Sequence, residues 1–249
     1  MLTPFLQYGW ASSPERLAIA AAVTLGFAGL ARALRGVSQS GAAAGGLACF
    51  VLLAAAGPAA FAMLALLFAM TWVSTRVGYR RKLALGLAER REGRSAWQVL
   101  ANLAVAALGS VIFGATGNRL WMAASVAALV EAATDTVASE IGQYRGGDAL
   151  FVTNGKRVPA GTDGGITMAG STAGLAAGLG IAAVATVGRL IPPSQFWIPV
   201  AAGFTGMILD SLLGATLQRR RWISNQAVNF LATLAAAALA SVIVKLYPS

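Results

Sequence analysis

The chain has 249 residues, of which 57% are hydrophobic and only 11% charged. A water-soluble domain carries about a quarter charged residues, so the composition excludes an ordinary soluble enzyme. The absence of histidine excludes histidine-based nucleophile relays, haem ligation and the usual zinc sites.

In chain order, apolar segments fall at 17–34, 41–56, 58–75, 96–113, 119–141, 164–190, 195–217 and 225–246. About 20 helical residues cross a bilayer core of about 30 Å. The pattern therefore predicts one all-α polytopic bundle of eight transmembrane helices, with seven as the fallback. The first segment is preceded by Glu15 and Arg16 and lacks the basic n-region of a signal peptide, so it reads as a membrane helix. Gly57-Pro58 predicts a tight hairpin between segments two and three. Cys49 reads as a small core residue. Trp72, Trp97, Trp121, Trp197 and Trp222 sit near segment ends, as an aromatic belt requires. Gly170, Gly174 and Gly178 form GxxxG steps that predict a close helix–helix contact.

The net charge of +10 would suit nucleic acid, but topology accounts for it and no nucleic-acid partner is expected. With eight spans, fifteen of the 19 Lys and Arg residues share one side: Arg32, Arg35, seven between 76 and 95, Arg145, Lys156, Arg157 and Arg219 to Arg221. Loops rich in Lys and Arg stay cytoplasmic. The expectation is a protein of the cell inner membrane, with its basic loops in the cytoplasm near anionic headgroups and both termini on the other side.

Nine acidic residues are present. Glu15, Glu89, Glu92 and Asp148 fall in loops or at helix ends and read as solvated surface. Glu131, Asp135, Glu140 and Asp210 lie within or near the ends of apolar segments, where a charge costs at least about 2.5–3.5 kcal/mol. Glu131, Asp135 and Ser139 are spaced i, i+4, i+8, on one helical stripe that suits a hard, oxygen-preferring cation such as Mg²⁺. Asp210-Ser211-x-x-Gly214 repeats the pattern of Asp135-Thr136-x-x-Ser139. Arg94, Gln98 and Asn102 open segment four with the spacing that Arg221, Asn225 and Asn229 show before segment eight. Two such units suggest an internal duplication. The amides would serve equally as interhelical hydrogen-bonding groups.

Between segments five and six, Lys156 and Arg157 precede the turn Gly161-Thr162-Asp163-Gly164-Gly165 and a helix start. Glycines let backbone N–H groups approach an anion and a helix N-terminus adds its dipole, so this is a candidate phosphate cradle. It is no Walker motif, because Leu150 stands where the first glycine belongs.

Together, Ala133-Thr-Asp135-Thr136-x-x-Ser139-Glu140-x-Gly142, Val158-Pro159-x-Gly161-Thr162-x-Gly164-Gly165, Leu209-Asp210-Ser211-x-x-Gly214-x-x-x-Gln218 and Asn225-x-x-Val228-Asn229 resemble the signature of the phytyl-phosphate kinase family, and distantly that of dolichol and phytol kinases. The resemblance implies a Mg²⁺-dependent phosphotransferase that converts an isoprenoid monophosphate (phytyl, geranylgeranyl or farnesyl) to the diphosphate, with a nucleoside triphosphate, CTP by analogy, as donor. On that reading Asp135, Glu140 and Asp210, with Glu131 in support, hold Mg²⁺ and the triphosphate. Lys156, Arg157, Gly161, Thr162, Gly164 and Gly165 bind phosphates, and Lys82, Arg94 and Arg221 hold the lipid phosphate. Gln98, Asn102, Ser139, Ser211, Gln218, Asn225 and Asn229 orient both substrates. Two other readings use the same residues: a nucleotidyltransferase making a CDP-lipid, and an ion-coupled transporter.

Overall fold

The computed structural model describes residues 8–145 and 148–247, without the Asp148 side chain. Among the described residues eight helices are long and apolar enough to cross a membrane. The first three are α1 (Pro14–Ala33), α2 (Gln39–Ala56) and α3 (Pro58–Arg76), followed by a short helix, α4 (Tyr79–Ala84). Then come α5 (Ala96–Thr116), α6 (Arg119–Arg145), α7 (Met168–Val187), α8 (Trp197–Leu213) and α9 (Asn225–Leu246). The eight expected spans are present; α4, inside the basic 76–95 loop, is an addition. Both chain termini lie outside the described residues.

Local sequence explains the helix limits. Ser13, Ser38, Thr167 and Ser224 cap helices with their side chains, each accepting a backbone N–H of the first turn. Ser95 and Gln98 form a reciprocal capping box on α5. Gly57, at φ 80°, ends α2, and Pro58 starts α3, which is the expected hairpin.

The loop between α6 and α7 departs from the helical plan. It folds into a three-stranded antiparallel sheet, β1 (Asp148–Phe151), β2 (Arg157–Pro159) and β3 (Gly165–Ile166), with β1 central. Gly165 pairs with Phe151, so α7 starts at Met168 rather than at 164.

The bundle is arranged around α6, which packs against α3, α5, α7, α8 and α9. Its small residues allow this: Ala123, Ala124, Ala127, Ala128, Ala132 and Ala133 are all buried. The GxxxG expectation holds, with α6 as the partner. A Cβ on Gly174 would lie 2.5 Å from the Thr134 carbonyl oxygen, and one on Gly170 2.4 Å from that of Ala138. Buried hydroxyls join α5 to α6: Ser110 and Ser125 lie 2.9 Å apart, and Ser125 donates to the Ala106 carbonyl. Cys49 is a buried free thiol whose sulfur accepts from Thr24 Oγ1.

Candidate functional site

At one end of the bundle the loops 34–38, 77–95 and 148–167 and the turn after α8 meet. Beneath them lies a polar cavity of about 360 Å³. Its lining brings together most of the residues picked out from the sequence. Asp135, Ser139 and Glu140 come from α6, Gln98 and Asn102 from α5, and Asp210 and Ser211 from α8. Gly161, Thr162, Gly164 and Gly165 come from the sheet turn, Gly214 and Gln218 from the turn after α8, and Asn225 and Asn229 from α9. The two amide pairs, distant in sequence, face one space.

Two local features shape this cavity. Gly164 adopts φ +81°, and a Cβ there would lie 2.4 Å from Ala215 Cβ, so only glycine lets the sheet turn seat on the end of α8. That end is a π-helical turn, Gly214–Gln218, of the kind that often marks functional sites. A cation–π contact ties the two pieces, with the Arg219 guanidinium 4.9 Å from the Phe151 ring.

The carboxylates divide into three environments. Asp135 and Asp210, on facing helices, line the cavity within electrostatic reach of each other, and Asp135 also senses Arg94. Asp210 Oδ2 is buried without a hydrogen-bond partner among the described residues. Glu140 is committed elsewhere: Oε1 accepts from Thr75 Oγ1 at 3.0 Å and Oε2 meets Lys82 Nζ at 2.5 Å. Glu131, one turn deeper on α6, is 1% exposed, has no hydrogen-bond partner on either oxygen among the described residues and does not line the cavity.

Several expected assignments therefore change. No three carboxylates among the described residues converge on one ion-sized point, so the set Glu131, Asp135, Glu140 and Asp210 is not a four-ligand metal centre. Lys82 cannot hold a lipid phosphate: it is fully buried, and its three donors go to the Ser74 carbonyl, the Thr75 carbonyl and Glu140. Lys156, Arg157 and Arg221 are exposed residues of the sheet and of the turn before α9, and they stand outside the cavity lining.

Other residues of the site escape a sequence reading. Glu89, taken for solvated surface, lines the cavity, accepts from Gln98 Nε2 at 3.0 Å and stands 4.0 Å from Arg94. Asp163, Thr136 and Gln143 also line it. Asp163 had a signal in its place within the glycine turn; Glu89 had none.

A second cavity, of about 490 Å³, adjoins the first between α1, α2, α3, α5 and α6. Phe27, Leu64, Leu67, Phe68, Val99 and Leu103 make it mainly apolar, while Arg35, Arg76, Arg90 and Arg91 gather at the loop end. Glu89, Arg94, Gln98, Asn102 and Thr136 line both cavities and so form the wall they share. Within that wall Arg94 Nε is buried with no hydrogen-bond partner among the described residues and faces the Glu89 carboxylate at 4.0 Å, while Nη1 donates to Thr136 Oγ1 at 3.4 Å.

Residues 22–237 match the family model described as integral membrane protein DUF92. The chain belongs to this family. It is similar to an uncharacterised membrane protein of Synechocystis, 36% identical over 67% of the chain and 66% of the relative. It also resembles the chloroplastic protein VTE6 of Arabidopsis thaliana, 32% identical over 78% of the chain and 61% of the relative. An uncharacterised membrane protein of Methanocaldococcus jannaschii is 32% identical over 74% of the chain and 76% of the relative. The chain thus spans just under two thirds of the length of the first two. No solved structure matches it. The family resemblance drawn from the motifs stands.

Proposed function

We propose that this protein is a membrane kinase that moves the γ-phosphoryl group of a nucleoside triphosphate onto an isoprenoid monophosphate. The observation that carries this reading is the wall shared by the two cavities. A lipid phosphate placed at Arg94, Gln98 and Asn102 has apolar volume on one side for a hydrocarbon chain. On the other side it has a polar, glycine-rich chamber suited to a triphosphate. The family resemblance of the motifs supports the same substrate class.

In the reaction an oxygen of the lipid monophosphate forms a bond to the γ-phosphorus. The bond from that phosphorus to the β,γ-bridging oxygen breaks, releasing the nucleoside diphosphate. The attacking oxygen is already anionic, so positioning and charge neutralisation are what the protein must supply. Arg94, whose Nε makes no hydrogen bond among the described residues, orients the acceptor, and Gln98 and Asn102 bracket it. On the opposite wall the Gly161–Gly165 turn cradles the triphosphate with the backbone N–H groups it does not spend internally, those of Thr162 and Gly165 being bonded to the Pro159 and Thr162 carbonyls.

The acidic pair fits a Mg²⁺ ion. Such ions take one or two carboxylates and complete their octahedron with water and phosphate oxygens. Asp135 and Asp210 supply that number, and the orphaned Asp210 Oδ2 is a buried acceptor in need of a partner. Bound there, Mg²⁺ would neutralise triphosphate charge. Sidedness follows from nucleotide supply: the site end faces the cytoplasm. CTP is the donor expected from the family resemblance.

Detergent-purified protein, incubated with Mg²⁺, geranylgeranyl or phytyl monophosphate and CTP or ATP labelled at the γ-phosphate, provides the test. Label should appear in a lipid diphosphate. Release of pyrophosphate with nucleotide joined to lipid would replace the kinase with a nucleotidyltransferase. Folded protein that labels no lipid would overturn both.

A further inference from the structure

The apolar cavity contains two glycines that helix packing does not require. A Cβ on Gly45 would find nothing nearer than Val99 Cγ1 at 3.7 Å, and one on Gly46 nothing nearer than Ala28 Cβ at 3.6 Å, both ordinary contacts. By contrast, a Cβ on Gly41, one turn closer to the loops, would lie 2.1 Å from the Arg94 carbonyl oxygen. Glycine costs an exposed or loosely packed helix position up to about 1 kcal/mol relative to alanine. At Gly45 and Gly46 that cost is offset by no close approach of backbones; what the missing side chains leave is empty volume in the cavity wall.

The cavity is also short of the bilayer's depth and has a weak side. Along α3 its lining runs from Arg76 to Leu64, twelve residues or about 18 Å of helix, well short of a bilayer core of about 30 Å. Gly46 and Leu64 are its lining residues furthest from the loops on α2 and α3. On the lipid side, α1 packs closely on α2 and is the least enclosed of the eight spans. Side chains link it to α3: Trp72 Nε1 and Arg76 Nη2 both donate to the Leu34 carbonyl, at 3.1 and 2.6 Å, and the Phe27 and Phe68 rings meet edge-on at 5.5 Å.

We propose that this cavity houses the hydrocarbon chain of the lipid phosphate, admitted from the bilayer between α1 and α3, and that the space beside Gly45 and Gly46 sets the longest chain accepted. The inference rests on the kinase reading for the identity of the lipid head, with arginines at the loop end supplying charge complementarity. Parting α1 from α3 unpacks no helix backbones; it breaks side-chain contacts, the apolar ones along the cavity and the two hydrogen bonds to Leu34 at the loop end.

The test is photo-crosslinking without nucleotide, using geranylgeranyl monophosphate that carries a diazirine at its far end. Label is expected on the segments 27–31, 42–46 or 64–68. Gly46→Leu should reduce that labelling about tenfold while weakening binding of the shorter geranyl monophosphate less than about twofold, since one filled subsite discriminates by roughly that much. Gly45→Leu repeats the measurement if Gly46→Leu does not fold. Label in the polar cavity, label spread over the outer helix faces, no label, or equal loss for both lengths in a folded variant would overturn the proposal. Failure of phosphoryl transfer with this labelling intact would instead reject only the kinase reading.

Discussion

The Lys82 ammonium and the Glu140 carboxylate form a buried ion pair at 2.5 Å, with the lysine fully enclosed. The pair closes the end of α3, because Lys82 also accepts the orphan status of two terminal carbonyls by donating to Ser74 and Thr75. Thr75 returns a hydrogen bond to Glu140, so α3, α4 and α6 are locked together beside the acidic chamber. Removing one partner of a buried pair leaves an uncompensated charge and costs about 3–5 kcal/mol. Lys82→Met and Glu140→Leu should each lower the thermal midpoint in detergent markedly, and the double variant should recover part of the loss. Full activity and unchanged melting in Lys82→Met would show that the pair is dispensable.

Asp135 and Asp210 should behave in the opposite manner. They face the cavity, they repel each other across it, and neither forms a hydrogen bond that holds helices together among the described contacts. Asp135→Asn and Asp210→Asn keep the shape and remove the charge. Each is expected to lower turnover by about 10²–10³, the range for losing one charge-stabilising group at a reacting centre, while melting stays level or rises. A combined loss of folding and activity would place these residues in the scaffold instead.

Much of this was legible in the sequence, and the failures share a cause. Spans, hairpin and the GxxxG contact follow from local rules: hydropathy, Gly-Pro, glycines four residues apart. Asp135 and Asp210 stood out because an acid in an apolar helix is costly and requires a reason. Lys82, Lys156 and Arg221 were misplaced because a cation beside a motif looks the same whether it turns inward or outward. The direction depends on α4, on the small sheet and on the turn before α9, and none of these has a periodic signal long enough to read. Glu89 was missed for the same reason: its loop folds back over α5, where Gln98 and Arg94 meet it.

Arg94 is the residue on which the two-cavity arrangement depends. Its backbone is fixed by hydrogen bonds to Gly36 and from Ser38, and its side chain spans the shared wall. The guanidinium's rigid fork matches a phosphate in a way that an ammonium cannot. Arg94→Lys should raise KM for the lipid monophosphate by about tenfold, on the order of one charge-assisted hydrogen bond, with KM for the nucleotide changed far less. An effect confined to the nucleotide would move Arg94 to the donor side.

Gly164 tests whether the sheet turn must sit against α8. At φ +81° an alanine costs roughly 1–2 kcal/mol in backbone strain alone, and its Cβ would also run into Ala215, whose Cβ, Cα and backbone nitrogen all lie within 2.9 Å. Gly155 shares the strain, at φ +66°, but has open space around it. Gly155→Ala is therefore the control for conformation without collision. Both variants should lose a similar small amount of stability from strain. Gly164→Ala alone should displace the turn from the π-helical end of α8 and lower turnover by at least about tenfold, since misplacing a binding element by an ångström costs that much or more. Equal activity in the two variants would mean that the glycine turn is not part of the working site.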